Sequence, residues 1–287
     1  MSDFYSGIKL QNGNEIDYSP EGIALYANNN SLKIKDNINR ISEIGFKNTK
    51  HRFYHCNHFF HNSALSQDGV CLLQTVGTGN TINPSFSQIN SLTTPVPGAL
   101  RLSAGTCNVS ATRCNYHTQN SAGFDPLYLN SNYFLIYETS VLIGNQSNTT
   151  TNNFYAQLGF GEGLANVSTV GASFLYNETN RTNASANWQV QTGNGTTQTR
   201  QATSVPVVFG DFYDLKIELT SSFAKFYIND VLVATITTNL PVNTFNPSTS
   251  FGFGNNVIKQ GIVPTDTTEA YIDMNYVILD FHFNYTP

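Results

Sequence analysis

The run HRFYHCNHFFHN gathers His51, His55, His58, His61 and Cys56 within a few residues of one another. Imidazole and thiolate are the usual zinc ligands, and zinc needs them converging about 2.0–2.3 Å from one point. Helical spacing would bring His51, His55 and His58 to one side. As a strand, the run puts His51, His55 and His61 on a face with Phe53 and Phe59 and turns His58 away. A strand holds alternate residues too far apart for one ion, so a metal would need copies gathered about a symmetry axis. The pattern favours histidines packed beside aromatics or at a subunit contact. No metal site and no cofactor are assigned.

Carboxylates are the second kind of chemistry to seek. Glycoside hydrolysis needs two of them about 5–10 Å apart across one cleft, which on a strand means acids at i and i+2 or i+4. There is no ExDxE run. Asp214 with Glu218 is the nearest pair, and Glu138 and Glu162 stand alone. Asp214 and Glu218 share a face opposite Leu215, Ile217 and Leu219, so that face is expected to be solvated. The glycine-rich Gly159-Phe160-Gly161-Glu162-Gly163 lacks the following helix and the Lys-Ser/Thr of a phosphate loop, and reads as a strand end with a tight turn. No catalytic residue is assigned, and the chain is read as non-enzymatic. Trp188, the only tryptophan, with Tyr176 and Asn187, forms the candidate ligand-binding set, because aromatic faces stack on sugar rings. The alternative for Trp188, in the strand-like ANWQV, is core or edge packing.

These residues must be positioned by strands. Residues 212–241, FYDLKIELTSSFAKFYINDVLVATITTNLP, alternate Leu215, Ile217 and Leu219, then Phe226 and Ile228, with polar neighbours. Asn229-Asp230 then turns the chain, a strong hairpin signal. Further strands are expected at His51–Phe60, Val70–Val76, Ala99–Ser103, Tyr133–Ile143, Phe154–Phe160, Ala172–Tyr176, Trp188–Gln191, Val205–Val208, Val231–Thr237, Ser250–Gly254 and Ala270–Phe283. In the last of these, Ile272, Met274, Tyr276 and Ile278 alternate with Asp273 and Asn275. With no 3.6-residue period, the pattern predicts an all-β antiparallel sandwich over residues 51–287.

Residues 1–50 differ. They hold roughly a third of the charged side chains in about a sixth of the length, with short apolar beats at Ile8/Leu10, Ile23/Leu25 and Leu32/Ile34 between Asn-rich turns. Strands this short cannot bury a core alone. The segment is read as an attachment or trimerisation element, and the alternative is an arm draped over its own sandwich.

Charged residues are only 11% of the chain, aromatics 13%, and the net charge is −5. That composition disfavours nucleic acid, which wants a basic face. No run approaches the roughly 18 apolar residues of a membrane span. The start, MSDFYSGIKL, has neither the basic nor the apolar region of an export signal, and sequons such as Asn177, Asn180 and Asn183 are expected to be unglycosylated. Cys56, Cys71, Cys107 and Cys114 form no CxxC. Buried free thiols are expected, with a Cys107–Cys114 disulfide as the alternative.

Several phrases, in order, resemble a concanavalin A-like domain of bacteriophage tail-fibre and head-fibre proteins. They are Val76-Gly77-Thr78-Gly79, the run Pro97 to Thr106 (PGALRLSAGT), Leu158-Gly159-Phe160-Gly161, the strand Gly171 to Tyr176, Asn187-Trp188, the FYINDVLVATITTNLP hairpin, and Tyr271 to Tyr276. The match spans residues 51–285. It departs from the family in having Asn229-Asp230 where Asn-Gly is usual, and in lacking an acidic loop after Gly-Phe-Gly. The resemblance implies a concanavalin A-like jelly roll of two curved sheets. It also implies a virion-surface structural protein, a fibre, spike or capsid-decorating subunit that is often homotrimeric. Its expected partners are itself, other virion proteins through residues 1–50, and host surface glycans. A receptor-recognition lectin is the main alternative, ahead of a capsule-degrading glycanase or a shell-forming capsid protein.

Overall fold

The computed structural model describes residues 24–28, 31–35, 41–44, 52–57, 71–76, 85–89, 99–105, 113–118, 133–144, 154–162, 170–177, 187–241, 251–259 and 269–283. The chain divides into two compact units, Met1–Phe53 and Tyr54–Pro287. In the first, β1 (Ala24–Asn28), β2 (Ser31–Lys35) and β3 (Ile41–Ile44) form a three-stranded antiparallel sheet in that order. In the β1–β2 register Asn28 lies opposite Ser31.

The remaining strands are β4 (Arg52–Asn57), β5 (Cys71–Val76), β6 (Ser85–Ile89), β7 (Ala99–Gly105), β8 (Arg113–Thr118), β9 (Tyr133–Ile143), β10 (Phe154–Glu162), β11 (Val170–Asn177), β12 (Asn187–Asn194), β13 (Gln198–Pro206), β14 (Phe212–Thr220), β15 (Ala224–Ile228), β16 (Val231–Ile236), β17 (Phe251–Lys259) and β18 (Ala270–Phe283). They make two antiparallel sheets. A seven-stranded sheet runs β13-β12-β11-β10-β17-β8-β5. An eight-stranded sheet runs β16-β15-β14-β9-β18-β7-β6, with β4 also paired to β18. From β7 onward the chain passes repeatedly from one sheet to the other, as a jelly roll does. The fold is therefore an all-β antiparallel sandwich, with no helix among the described residues.

Period-two alternation decides which side chains lie between the sheets. Tyr213, Leu215, Ile217 and Leu219 of β14, Ala224, Phe226 and Ile228 of β15, and Leu135 and Tyr137 of β9 are buried there. The seven-stranded sheet answers with Leu158 and Phe160 of β10, Phe174 of β11, and Trp188 and Val190 of β12. The two layers meet through aromatic rings. Phe174 stands edge-on to Phe226 at 5.4 Å, Trp188 edge-on to Tyr213 at 5.6 Å, and Phe160 lies 6.0 Å from both Tyr137 and Phe281. Such pairs add about 0.5–1.5 kcal/mol each beyond the area they bury.

β18 departs from simple alternation. Its register against β9 shifts between Met274 and Tyr276, and an extra residue in one strand reverses the faces beyond it. Ile272 and Met274 are buried as expected. Past the bulge the buried row is Val277, Leu279 and Phe281, while Tyr276 and Ile278 are only half-buried.

Side chains lace the β12–β13 hairpin end to the segment just after β16. Thr192 Oγ1 donates to the Thr238 carbonyl at 2.8 Å, Thr199 Oγ1 lies 2.8 Å from Thr238 Oγ1, and Thr197 Oγ1 donates to Asn239 Oδ1 at 2.7 Å.

The Asn229-Asp230 turn has φ of 50° and 64°, the left-handed pair of a type I′ hairpin. Asn229 also works as a clamp, since its Oδ1 accepts the Asp214 N–H at 2.9 Å and its own N–H donates to the Asp214 carbonyl at 2.8 Å. Asn229→Ala should therefore destabilise the protein by about 1–2 kcal/mol through lost hydrogen bonding and left-handed strain. Asp230→Gly should stay within about 0.5 kcal/mol of the parent, because relieved strain offsets added unfolded-chain freedom. Denaturant melts of the two variants measure both.

Candidate functional site

Turning aromatics inward leaves the outer face of the seven-stranded sheet to the intervening residues. Tyr155, Gln157 and Gly159 of β10 lie there, beside Ser173 and Leu175 of β11, Asn187, Gln189 and Gln191 of β12, and Arg200 of β13. The register places Ser173 opposite both Gly159 and Gln191, and Gln191 opposite Arg200. One end of this face is a glycine floor, with Gly252, Gly161, Gly171 and Gly193 side by side on four adjacent strands. Two glycines are required by the backbone. Gly159 and Gly171 have φ of 138° and 143°, and a Cβ at Gly171 would collide with the Phe160 carbonyl oxygen. The stretch read from sequence as a strand end, Gly159 to Glu162, continues in β10 as strand; Gly163 lies outside the described residues.

The side chains here are amides and hydroxyls that hold one another in place. Gln157 Nε2 donates to Ser173 Oγ at 3.1 Å, and Arg200 donates from Nε and Nη2 to Gln191 Oε1 at 3.2 and 2.8 Å. Gln157, Ser173 and Gln191 are nearly fully buried although they face away from the core. Tyr155 packs against Leu175 in a small apolar cluster on this face. Burial raises the Tyr155 hydroxyl well above the ordinary tyrosine value, and the nearby Arg200 charge partly offsets this. Among the described side chains of this face there is no carboxylate. Across β10 to β13 the described side chains offer hydrogen bonding from neutral donors and acceptors beside the Arg200 guanidinium.

The ligand set expected from the sequence is divided by the fold. Trp188 is 0% exposed, edge-on to Phe174 and Tyr213 between the sheets, and Tyr176 is 8% exposed against Phe154 and Phe209. Rings enclosed in this way present no face for stacking, which moves the candidate contacts off both aromatics. Asn187 lies on the outer face and donates from Nδ2 to the Thr203 carbonyl at 2.8 Å. Sequence reading did not single out Gln157, Ser173, Gln189, Gln191 or Arg200. The available signal was the polar half of strands β10 to β12, which lies between the apolar residues used to find the core.

The acids are on the opposite surface. Asp214, Glu218 and Glu138 lie on the outer face of the eight-stranded sheet, away from the Leu215 row. Lys216 Nζ is 2.8 Å from Glu218 and 3.9 Å from Glu138, and Tyr227 Oη donates to Glu218 at 2.9 Å. Burial works against ionising Glu218, yet hydrogen bonds from Lys216 and Tyr227 outweigh it and hold this carboxyl below its usual value. Glu138 is raised, chiefly by burial; Lys216 opposes this, and the Asp230, Asp214 and Asp280 carboxylates add to it. Glu162 ends β10.

Of the histidine run, β4 confirms a strand through His55 and Cys56, while His51, His58 and His61 lie outside the described residues. Among the described residues no three His, Cys, Asp or Glu side chains are grouped to hold a metal. Cys114 is a buried free thiol, pushed up to about 12 by burial. Cys107 is outside the described residues, and Cys56 is half-buried.

No family model matches the chain, and no curated protein matches it. Among solved structures, it is similar to an endo-1,3-β-glucanase from Streptomyces sioyaensis, with 12% identity, a TM-score of 0.48, and coverage of 81% of this chain and 97% of that one. It is also similar to a family 16 endo-glucanase from Bacteroides ovatus, with 11% identity, a TM-score of 0.48, and coverage of 78% and 99%. A third is the carbohydrate recognition domain of Emp47p, with 8% identity, a TM-score of 0.45, and coverage of 80% and 95%. The likeness is one of sheet architecture, and no functional residue is carried over.

The opposite shifts of the two glutamates set opposite pH dependences. A carboxyl held low in the folded state contributes stability above its unfolded value near 4.5, and that contribution is lost as pH falls. One held high makes folding costlier as pH rises through the interval from 4.5 to its folded value. Glu218→Gln should lower the melting temperature at pH 7, with the gap shrinking toward pH 4. Glu138→Gln should match or exceed the parent at pH 7 and lose any advantage in acid. Thermal melts between pH 4 and pH 8 test both signs.

Proposed function

We propose that this chain is a non-enzymatic carbohydrate-binding β-sandwich, displayed on a virion as a fibre, spike or decorating subunit. The observation that carries the binding reading is the outer face of the seven-stranded sheet. There, interlocked amides and hydroxyls lie beside a row of glycines on four adjacent strands. Sugars are recognised by fixed neutral donors and acceptors of this kind, and a rigid sheet holds them without entropy loss on binding. The non-enzymatic reading is supported by where the acids lie. Glu218 is engaged by Lys216 and Tyr227 on the far surface, and the amide face has no carboxylate among its described side chains. Full-length protein on an array of host surface polysaccharides should give discrete hits that weaken roughly five- to tenfold in Gln191→Ala, the effect of one lost hydrogen bond of about 1 kcal/mol. An array without hits sinks the binding reading. Release of reducing ends from a bound glycan sinks the non-enzymatic one.

The virion reading is supported by the ordered run of fibre-like phrases and by the charge-rich segment 1–50, which lies within a separate compact unit. In it, residues 1–50 trimerise the chain or mount it on the particle. The mass of the full chain in solution should be that of a homotrimer, falling to a monomer when the chain begins at residue 51. A full-length monomer with no place in any particle would remove this reading.

A further inference from the structure

Asn194 and Gly195 open the turn between β12 and β13, and their chemistry is that of an internal acyl transfer. Asn194 Oδ1 accepts the Thr196 and Thr197 backbone N–H groups at 3.0 and 2.9 Å. Only the oxygen of the carboxamide can accept both, so these contacts leave Nδ2 as the free end. Among the described residues neither Nδ2 nor the Gly195 N–H donates to any group. The turn is open to solvent: Asn194 is half-buried, and Gly195, Thr196 and Thr197 are exposed. Gly195 has a φ of 93° and no side chain to shield its nitrogen.

Each part of the reaction is therefore available. The nucleophile is the Gly195 nitrogen, next in the chain to Asn194, and no hydrogen bond must break to release it. The leaving group is Nδ2, in reach of the water that protonates it. The oxygen that gathers charge during attack is the one two backbone amides already hold, as in an oxyanion hole. Neighbouring asparagines lack one part or another. Asn187 commits Nδ2 to the Thr203 carbonyl, Asn239 commits Nδ2 to Thr199 and is followed by leucine, and Asn229 is followed by Asp230.

We propose that Asn194-Gly195 is a self-modifying site that converts with age. The Gly195 nitrogen gives up its proton to water or hydroxide and bonds to Asn194 Cγ. The Cγ–Nδ2 bond breaks, and ammonia leaves with a proton taken from water. Water then opens the cyclic imide. Opening at the side-chain carbonyl gives aspartate, and opening at the main-chain carbonyl gives isoaspartate. Aspartate keeps an oxygen for the Thr196 and Thr197 N–H groups. Isoaspartate inserts a methylene into the main chain, where Gly193 pairs with Gln198 and the Asn194 N–H donates to the Thr197 carbonyl. That displaces Thr197 and Thr199, whose hydroxyls bond to Asn239 and Thr238, so this edge of the sandwich loosens.

The test incubates the full chain, folded, in buffers from pH 6 to pH 9, beside the same chain unfolded in denaturant. Peptide mapping by mass spectrometry reads residue 194. Asn194 should gain one mass unit and yield aspartyl and isoaspartyl peptides. The rate should rise with pH and at least match that of the unfolded chain. Asn194→Ser keeps an oxygen for the two N–H groups but has no carboxamide. That variant should stay unmodified at this position and hold its melting temperature, while the aged parent gains a lower-melting fraction in proportion to its isoaspartate. An Asn194 that stays intact in the folded chain, or converts more slowly there than in the unfolded one, overturns the proposal, because the turn then protects the residue. Conversion without a lower-melting fraction overturns the loosening of the edge and leaves the modification site standing.

Discussion

The structure depends on a set of aromatic rings that reach across from one sheet to the other. Phe174 against Phe226, Trp188 against Tyr213, and Phe160 against Tyr137 and Phe281 fix how the layers face each other. Because a strand alternates strictly, committing these residues to the interior also commits their neighbours to the outside. The amide face of β10 to β13 is thus a by-product of the core. Gln157 and Ser173 face out because Leu158 and Phe174 face in.

Two surfaces of different character result. On the eight-stranded sheet, Asp214, Lys216, Glu218 and Glu138 form a charged surface in which Lys216 bridges two glutamates. Half-buried surface pairs of this kind add modest stability, and their main effect is on pH response. On the seven-stranded sheet, the described side chains of β10 to β13 set the Arg200 charge among amides and hydroxyls. The chain carries few charges overall, 11% of its residues.

The edges show the same sparing use of charge. β13 is mostly polar, and its Thr199 bonds to Thr238 and Asn239 beyond β16. At the other end of the β14–β16 meander, Tyr213 Oη accepts the Val208 N–H at 2.8 Å and donates to the Pro206 carbonyl at 2.9 Å, tying down the connection from β13. Closure of this side of the sandwich relies on hydroxyls, which satisfy backbone and one another without requiring burial of a charge.

Strand periodicity alone determined most of the architecture. Tyr133–Ile143 and Ala270–Phe283 have the limits read from sequence, and the Asn229-Asp230 hairpin turns where its residues require, because those signals are local. β8 and most of β13 were not legible: RCNYHT offers only the short alternation of Cys114 and Tyr116, QTRQATSVP offers almost none, and both become strands by pairing with β17, β5 and β12. The bulge in β18 was invisible too, because an extra residue is defined only against a partner strand; it turned Tyr276 and Ile278 outward. The candidate site depended on tertiary structure most of all. For Trp188 the sequence left both core packing and a stacking face open, and Phe174 and Tyr213 enclose it. Gln157, Ser173, Gln191 and Arg200 are neighbours only because β10 to β13 lie side by side. Sequence specifies which face a residue takes along its own strand, whereas a site spread over four strands exists only once their register is set.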